Sequence, residues 1–207
     1  MLLIWDKAFN LLGNTIHAKA LSKKKIIIFT MENSTKNLFK AALTHTAIIS
    51  GVIIVHSIIV DVFGIYYDTY NMIAANVLPI IGIVYAIYAY RKETLNNQLT
   101  YSQALGYGVL VAAMIGIVVS AFSYVHTHII SPELYEMGLI MAEEKMLESG
   151  VDESQIEMLV EMQLKFKTPF FVVLFGTLSM TVLGLIVSLI AGAFLKKEAS
   201  DPFEGIE

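Results

Sequence analysis

The chain has 207 residues, 56% hydrophobic and 15% charged, with a formal net charge of -4 and no cysteine. A soluble domain runs nearer roughly 45–50% apolar and about 25% charged, so the balance points to lipid. The lack of cysteine excludes a disulfide framework, a thiol nucleophile and any cysteine-based metal site. No basic face interleaved with aromatics suggests nucleic acid as a partner.

Residues 1–36 form an N-terminal segment distinct from the rest of the chain. Lys23, Lys24 and Lys25 precede only the short run Ile26 to Phe29. A signal peptide needs an apolar stretch of roughly 7–15 residues and a small-residue cleavage site, and Thr30-Met31-Glu32 is no such site. Met31 opens a more ordinary start. Two readings stand: an upstream translation artefact, or a short amphipathic helix on the membrane surface.

Residues 37–197 read as a membrane domain. Only a helix of about 20 apolar residues satisfies its own backbone while crossing lipid. Four windows qualify, at about 41–60, 70–90, 104–130 and 169–195. Tyr66, Tyr67 and Tyr70 before the second window, and Tyr88 and Tyr90 at its end, fit an aromatic belt. Pro79 falls mid-span and predicts a kink.

Charge placement sets the orientation. Lys36 and Lys40, Arg91 and Lys92, and Lys196 and Lys197 all belong to one side. The turn between the first two spans holds only Asp61 and Asp68. Residues 132–168 hold nine acids against Lys145, Lys165 and Lys167. The positive-inside rule then puts both ends in the cytoplasm and the acidic loop outside. Residues 198–207 form a cytoplasmic tail.

The loop 132–168 reads as a hairpin of two amphipathic helices packed face to face. Ser131 supplies a capping hydroxyl, Pro132 the first turn and Glu133 an acid at the dipole's positive end. Gly150 breaks that helix and Asp152 caps the next. Ile156, Leu159, Val160 and Phe166 make an apolar stripe, matched by Leu134, Met137 and Met141. Met146, Met158 and Met162 add adaptable surface. The hairpin reads as a small core, or as a contact for a periplasmic protein or a second copy.

Within lipid, small residues let helices approach. Ala112, Gly116 and Ser120 recur at four-residue spacing on the third span, and Gly184, Ser188 and Gly192 on the fourth. Gly82 and Ala86 form a weaker pair on the second. They mark either contacts within the bundle or a homodimer seam.

No Asp, Glu, Lys or Arg sits deep in a span, which argues against an obvious proton or ion path. His45 opens the first span, and Gly106-Tyr107-Gly108 reads only as a helix start. Asn71 and Asn76 read as polar helix–helix contacts. His56, Asp61, His126 and His128 all fall toward the outer leaflet. Imidazoles and a carboxylate at one depth are ligands for zinc or another divalent ion, and imidazole also titrates near neutral pH. These four are the candidate metal or pH-sensing residues. The simpler reading is interfacial histidines bonded to backbone, water or headgroups. No GxSxG elbow, P-loop or GxGxxG turn is present, so neither enzyme nor cofactor is expected.

The stretch Leu99 to Glu136, LTYSQALGYGVLVAAMIGIVVSAFSYVHTHIISPELYE, resembles the four-span family of unknown function numbered 4199, typical of Bacteroidetes-type bacteria. The ISGVIIVHSIIVDVFG first span and the GLIVSLIAGAFLKK ending fit the same family. The resemblance covers about Asn37 to Lys197. It implies a bacterial cytoplasmic membrane and carries no activity or site residues. The sequence therefore predicts an all-α membrane protein: four transmembrane helices plus an extracytoplasmic amphipathic hairpin. Its expected role is non-enzymatic structure or interaction. The alternative is a small transporter, or a metal- or pH-responsive protein.

Overall fold

The computed structural model describes residues 35–197. The readings of the segment before Thr35 and of the tail 198–207 lie outside the described residues. Two compact units divide after Lys40. Of the first, 35–40 are described, as the opening turns of α1 (Thr35–Val62). The second holds the rest of α1, then α2 (Thr69–Glu93), α3 (Tyr101–Val125), one π-helical turn (His126–Ile130), α4 (Glu133–Glu148), α5 (Glu153–Lys165) and α6 (Pro169–Leu195). Among the described residues there is no strand, only the isolated bridge Leu99–Lys197.

α1, α2, α6 and α3 with its π turn are each long and apolar enough to cross a membrane. Even the 25-residue α2 is roughly 38 Å long, against a hydrocarbon core of about 30 Å. Their outer faces are bare apolar surface. On α6, Phe170, Leu174, Leu178, Ile186, Ile190 and Phe194 are all exposed. Such a face is a liability in water and a match for acyl chains.

Lipid tails are as apolar as leucine, so close packing must hold the helices together. α3 and α6 achieve it by pairing small residues head to tail. Ala104 stands against Gly192, Gly108 against Ser188, Ala112 against Gly184, Gly116 against Thr177 and Met180, and Ser120 against Gly176. Each four-residue step along α3 answers a four-residue step back along α6, as an antiparallel pair requires. A Cβ added to Gly108, Gly176 or Gly184 would overlap the facing side chain, and one on Gly116 would lie 2.8 Å from the Thr177 Cα. The two spaced triads read from the sequence thus lie on one seam within the chain, meeting each other at Ala112–Gly184 and meeting further small residues, Gly108, Ala104 and Gly176, on either side. Gly82 of α2 meets Ile49 of α1 instead, and Ala86 is fully buried.

At one end of the bundle, Arg91 Nη1 donates to the Leu195 carbonyl at 3.0 Å. This caps α6 with a cation where its dipole is negative. Leu99 and Lys197 exchange two backbone hydrogen bonds of 2.8 Å. In the loop before Leu99, Asn96 and Asn97 take positive φ, +48° and +68°, which asparagine tolerates better than most residues. Thr100 and Gln103 form a capping box that starts α3.

Three local expectations are corrected. Tyr90 is no belt residue. It shares the inward stripe of Ile83, Ala86 and Ile87 and stacks on Tyr107, with ring centroids 3.8 Å apart. Tyr88 does sit as an anchor, under Arg91 and Lys92. Ser131 does not cap α4, whose first turn has no side-chain cap. Its hydroxyl instead donates to Asp61 Oδ2 at 2.8 Å, a charge-assisted hydrogen bond stronger than the neutral one a cap would make. The hairpin core is thin. α4 and α5 pack together, but Leu134 and Ile156 alone are buried while Met137, Ile140, Leu147 and Met158 stay exposed. Gly150 ends α4 at φ +78°, and Asp152 caps α5 by accepting from the Ser154 amide at 2.9 Å.

The seam and the α5 cap can each be tested. Gly184→Val is expected to lower the thermal unfolding midpoint in detergent, at a cost of about 1–3 kcal/mol for overpacking. Gly51→Ala, with nothing within 4 Å of the added carbon, should leave it unchanged or raised. Equal behaviour of the two would show the seam is not close-packed. The Ser154 hydroxyl first, then its amide, hold the Asp152 carboxyl below the usual range. A depressed folded value stabilises above the unfolded value, so this support is present near neutrality and fades as pH falls below about 4. Hydrogen exchange of the Ser154 and Ile156 amides should quicken on acidification, net of intrinsic rates. In Asp152→Ala it should be fast at both pH values.

Candidate functional site

The ladder shift at the end of α3 builds a polar cluster at the hairpin end of the bundle. There the helix loosens into a single π turn, with the Ser131 amide donating to the His126 carbonyl at 2.8 Å. π turns often accompany functional positions. The turn brings His126 and Ser131 to the same carboxylate. His126 Nε2 lies 2.9 Å from Asp61 Oδ2, and the Ser131 hydroxyl donates to that same oxygen. His126 is only 2% exposed. Phe122 stacks on its ring at 5.2 Å and Tyr66 lies 6.0 Å away. Its Nδ1 is buried without a partner among the described residues.

The structure therefore unites two of the four sequence candidates, Asp61 and His126, and adds Ser131. His128 belongs to a separate group. It stacks on Tyr124 at 4.6 Å, lies 4.6 Å from Tyr135, and has Thr127 Oγ1 at 2.9 Å from its Nδ1. His56 lines a cavity of about 320 Å³ between α1, α2 and α3, together with Ser57, Asn71, Asn76 and Ser123. Asn71 and Asn76 bond to backbone, at Tyr66 O and Met72 O, rather than across helices. Asn71 Oδ1 is buried without a partner. Pro79, also on this cavity, leaves the Ala75 carbonyl without its helical amide. Among the described residues no group of three or more His, Asp or Glu stands together as a metal site.

A second polar group lies at the other end and was not legible in the sequence. His45 Nδ1 is 2.6 Å from the Tyr107 hydroxyl, and its Nε2 is 3.9 Å from Glu93 Oε2. His45 and Tyr107 are buried while the Glu93 side chain is 68% exposed. Sixty-two residues separate His45 from Tyr107, so no local spacing announces the pair.

A larger cavity, of about 800 Å³, lies between the α4–α5 hairpin and the ends of α3 and α6. Tyr67, from the α1–α2 turn, donates its hydroxyl to the Leu134 carbonyl and so ties that turn to the base of the hairpin.

Four long apolar helices define the class: this is a multi-pass, all-helical membrane protein. A family model described as a protein of unknown function (DUF4199) matches residues 26–197, and the chain belongs to that family. No curated protein and no solved structure matches the chain.

Removing the shared acceptor tests the Asp61 cluster. Asp61→Ala leaves buried His126 Nε2 and the buried Ser131 hydroxyl without this partner, at an expected cost of about 1–3 kcal/mol. Thermal unfolding in detergent should show that loss, with Ser131→Ala the milder change. An unchanged midpoint for Asp61→Ala would mean the cluster contributes nothing to stability.

Proposed function

We propose that the protein is a non-enzymatic component of the bacterial cytoplasmic membrane, with both ends inside and the hairpin outside. It acts by contact rather than by chemistry. The observation that carries this reading is the opposite charge of the two ends of the bundle. Arg91, Lys196 and Lys197 gather where the α2–α3 loop meets the end of α6. Asp61 and the hairpin, with its nine acids, lie at the other. Cationic loops stay on the side of synthesis. The hairpin is the one organised element outside the spans among the described residues, and it carries exposed Met137, Ile140, Leu147 and Met158 on otherwise charged helices. An apolar patch ringed by charge is a usual form of interaction surface.

The absence of cysteine makes the orientation test clean. In intact spheroplasts, an impermeant maleimide should label Glu144→Cys and should label Lys196→Cys only after permeabilisation. Labelling of both in intact spheroplasts would sink the arrangement. Replacing 133–165 by a short flexible linker should then remove crosslinked neighbours, whether other proteins or a second copy. An unchanged crosslinking pattern would remove the contact role.

A second reading is a small transporter, or a proton- or metal-responsive protein. It draws support from the Asp61–His126 pair and from His56, which shares a mostly apolar cavity with Ser57, Asn71, Asn76 and Ser123. Zinc titration of the wild type against His126→Leu and His56→Leu, followed by calorimetry, discriminates. Equal binding in all three counts against it.

A further inference from the structure

The cavity beneath the hairpin falls within the roughly 300–1,000 Å³ of small-molecule sites, at about 800 Å³. Its lining divides by chemistry. Leu139, Met146, Leu159, Met162 and Phe166 give the hairpin's side of it an apolar surface. Leu159, Met162 and Phe166 remain partly exposed, Phe166 with its ring edge-to-face against Phe171 and Phe175 of α6. Methionine's unbranched, flexible side chain accommodates occupants of irregular course.

The charge distribution is lopsided. The hairpin carries nine carboxylates, and none of them lines the cavity. Among the lining residues Lys167 alone is charged. Its Nζ lies over the Tyr135 ring, 4.1 Å from the centroid, and pairs with no carboxylate among the described residues. Lys165, two residues earlier, behaves as a solvated surface lysine should, paired with Glu161 at 2.9 Å. The Gln163 amide and the Tyr135 hydroxyl also line the cavity without a hydrogen bond to the described chain. Burial holds the Tyr135 phenol above its ordinary range, so it stays an O–H donor at neutral pH.

We propose that this cavity binds a single-chain anionic amphipath, its carboxylate or phosphate head at Lys167, Gln163 and Tyr135 and its alkyl chain along Leu159, Met162 and Phe166. An acid-free wall with one unpaired ammonium complements a single negative charge, and the open apolar wall complements a hydrocarbon tail. The inference does not depend on which side of the bilayer the hairpin faces. Fatty acids and lysophospholipids share the required chemistry.

The test uses the full chain in one neutral detergent, so that micellar partition is common to every arm. Binding of decanoate, decyl phosphate and decanol is followed by calorimetry. The two anions should bind at least about tenfold more tightly than the alcohol, since hydrogen bonds to charged groups are the stronger kind. Whichever anion binds better names fatty acid or lysophospholipid as the source. Lys167→Gln, an exposed change that leaves folding alone, should erase the preference for anions. Lys165→Gln should keep it. Ala142→Trp, which fills the cavity, should abolish binding of all three while helix content by circular dichroism stays constant. The proposal falls if decanoate and decanol bind alike to the wild type. It falls equally if Lys165→Gln loses as much as Lys167→Gln, or if a folded Ala142→Trp binds normally.

Discussion

The close approach of α3 to α6 is the constraint on which the rest of the structure depends. Where solvent cannot drive helices together, stability comes from many short dispersion contacts, and these need backbones near one another. Glycine or alanine at successive turns removes the side chains that would hold the axes apart. The serines use the same space differently. Ser188 is fully buried over Gly108, a small polar side chain in a gap that a larger one could not occupy. With this pair fixed, α2 packs on both of its members, and α1 reaches α2 through Ile49 at Gly82.

Each end of the bundle is then closed by polar groups that lipid cannot satisfy. At one end, Arg91 takes up the Leu195 carbonyl left over by the end of α6, and the Leu99–Lys197 bridge pairs the backbone just beyond it. At the other, Asp61 collects His126 and Ser131, and Tyr67 reaches the Leu134 carbonyl. A carboxylate drawn partly out of water is costly unless its lone pairs are used, and half-buried Asp61 takes two hydrogen bonds on a single oxygen. That need also explains why the Ser131 hydroxyl leaves the helix start that it would otherwise cap.

The sequence made legible whatever one chain segment decides by itself. A span declares itself because lipid demands length and apolarity whatever the neighbours are, so the four helices could be read directly. Gly150 and Asp152 act over two or three residues and were readable for the same reason. The small-residue triads were visible too, although only the structure shows that both line a single seam. The Asp61 cluster was half legible: depth along two helices put Asp61 and His126 at one level, but rotation about each axis decides contact. That rotation excludes His56 and His128 from the pair. Ser131 was claimed by a stronger local rule. The His45–Tyr107 pair and the burial of Tyr90 depend on the same unreadable angles. So does the acid-free wall beneath the hairpin, since an amphipathic pattern says that a helix has two faces and not what each will meet. The resemblance, read over Asn37 to Lys197, agrees with the family match over residues 26–197.

The seam between α3 and α6 also works as an index. Its pairs recur every fourth residue on both helices, so sliding one helix by a single residue would press larger side chains onto a facing backbone. The helices come back into coincidence only after a shift of about 6 Å, one repeat of the pattern. Gradual sliding is therefore closed to this pair. The two can hold one alignment, or separate and re-engage a full notch away, and the second course would break the Leu99–Lys197 bridge and the Arg91 bond to Leu195 that tie the end of α6 to the start of α3.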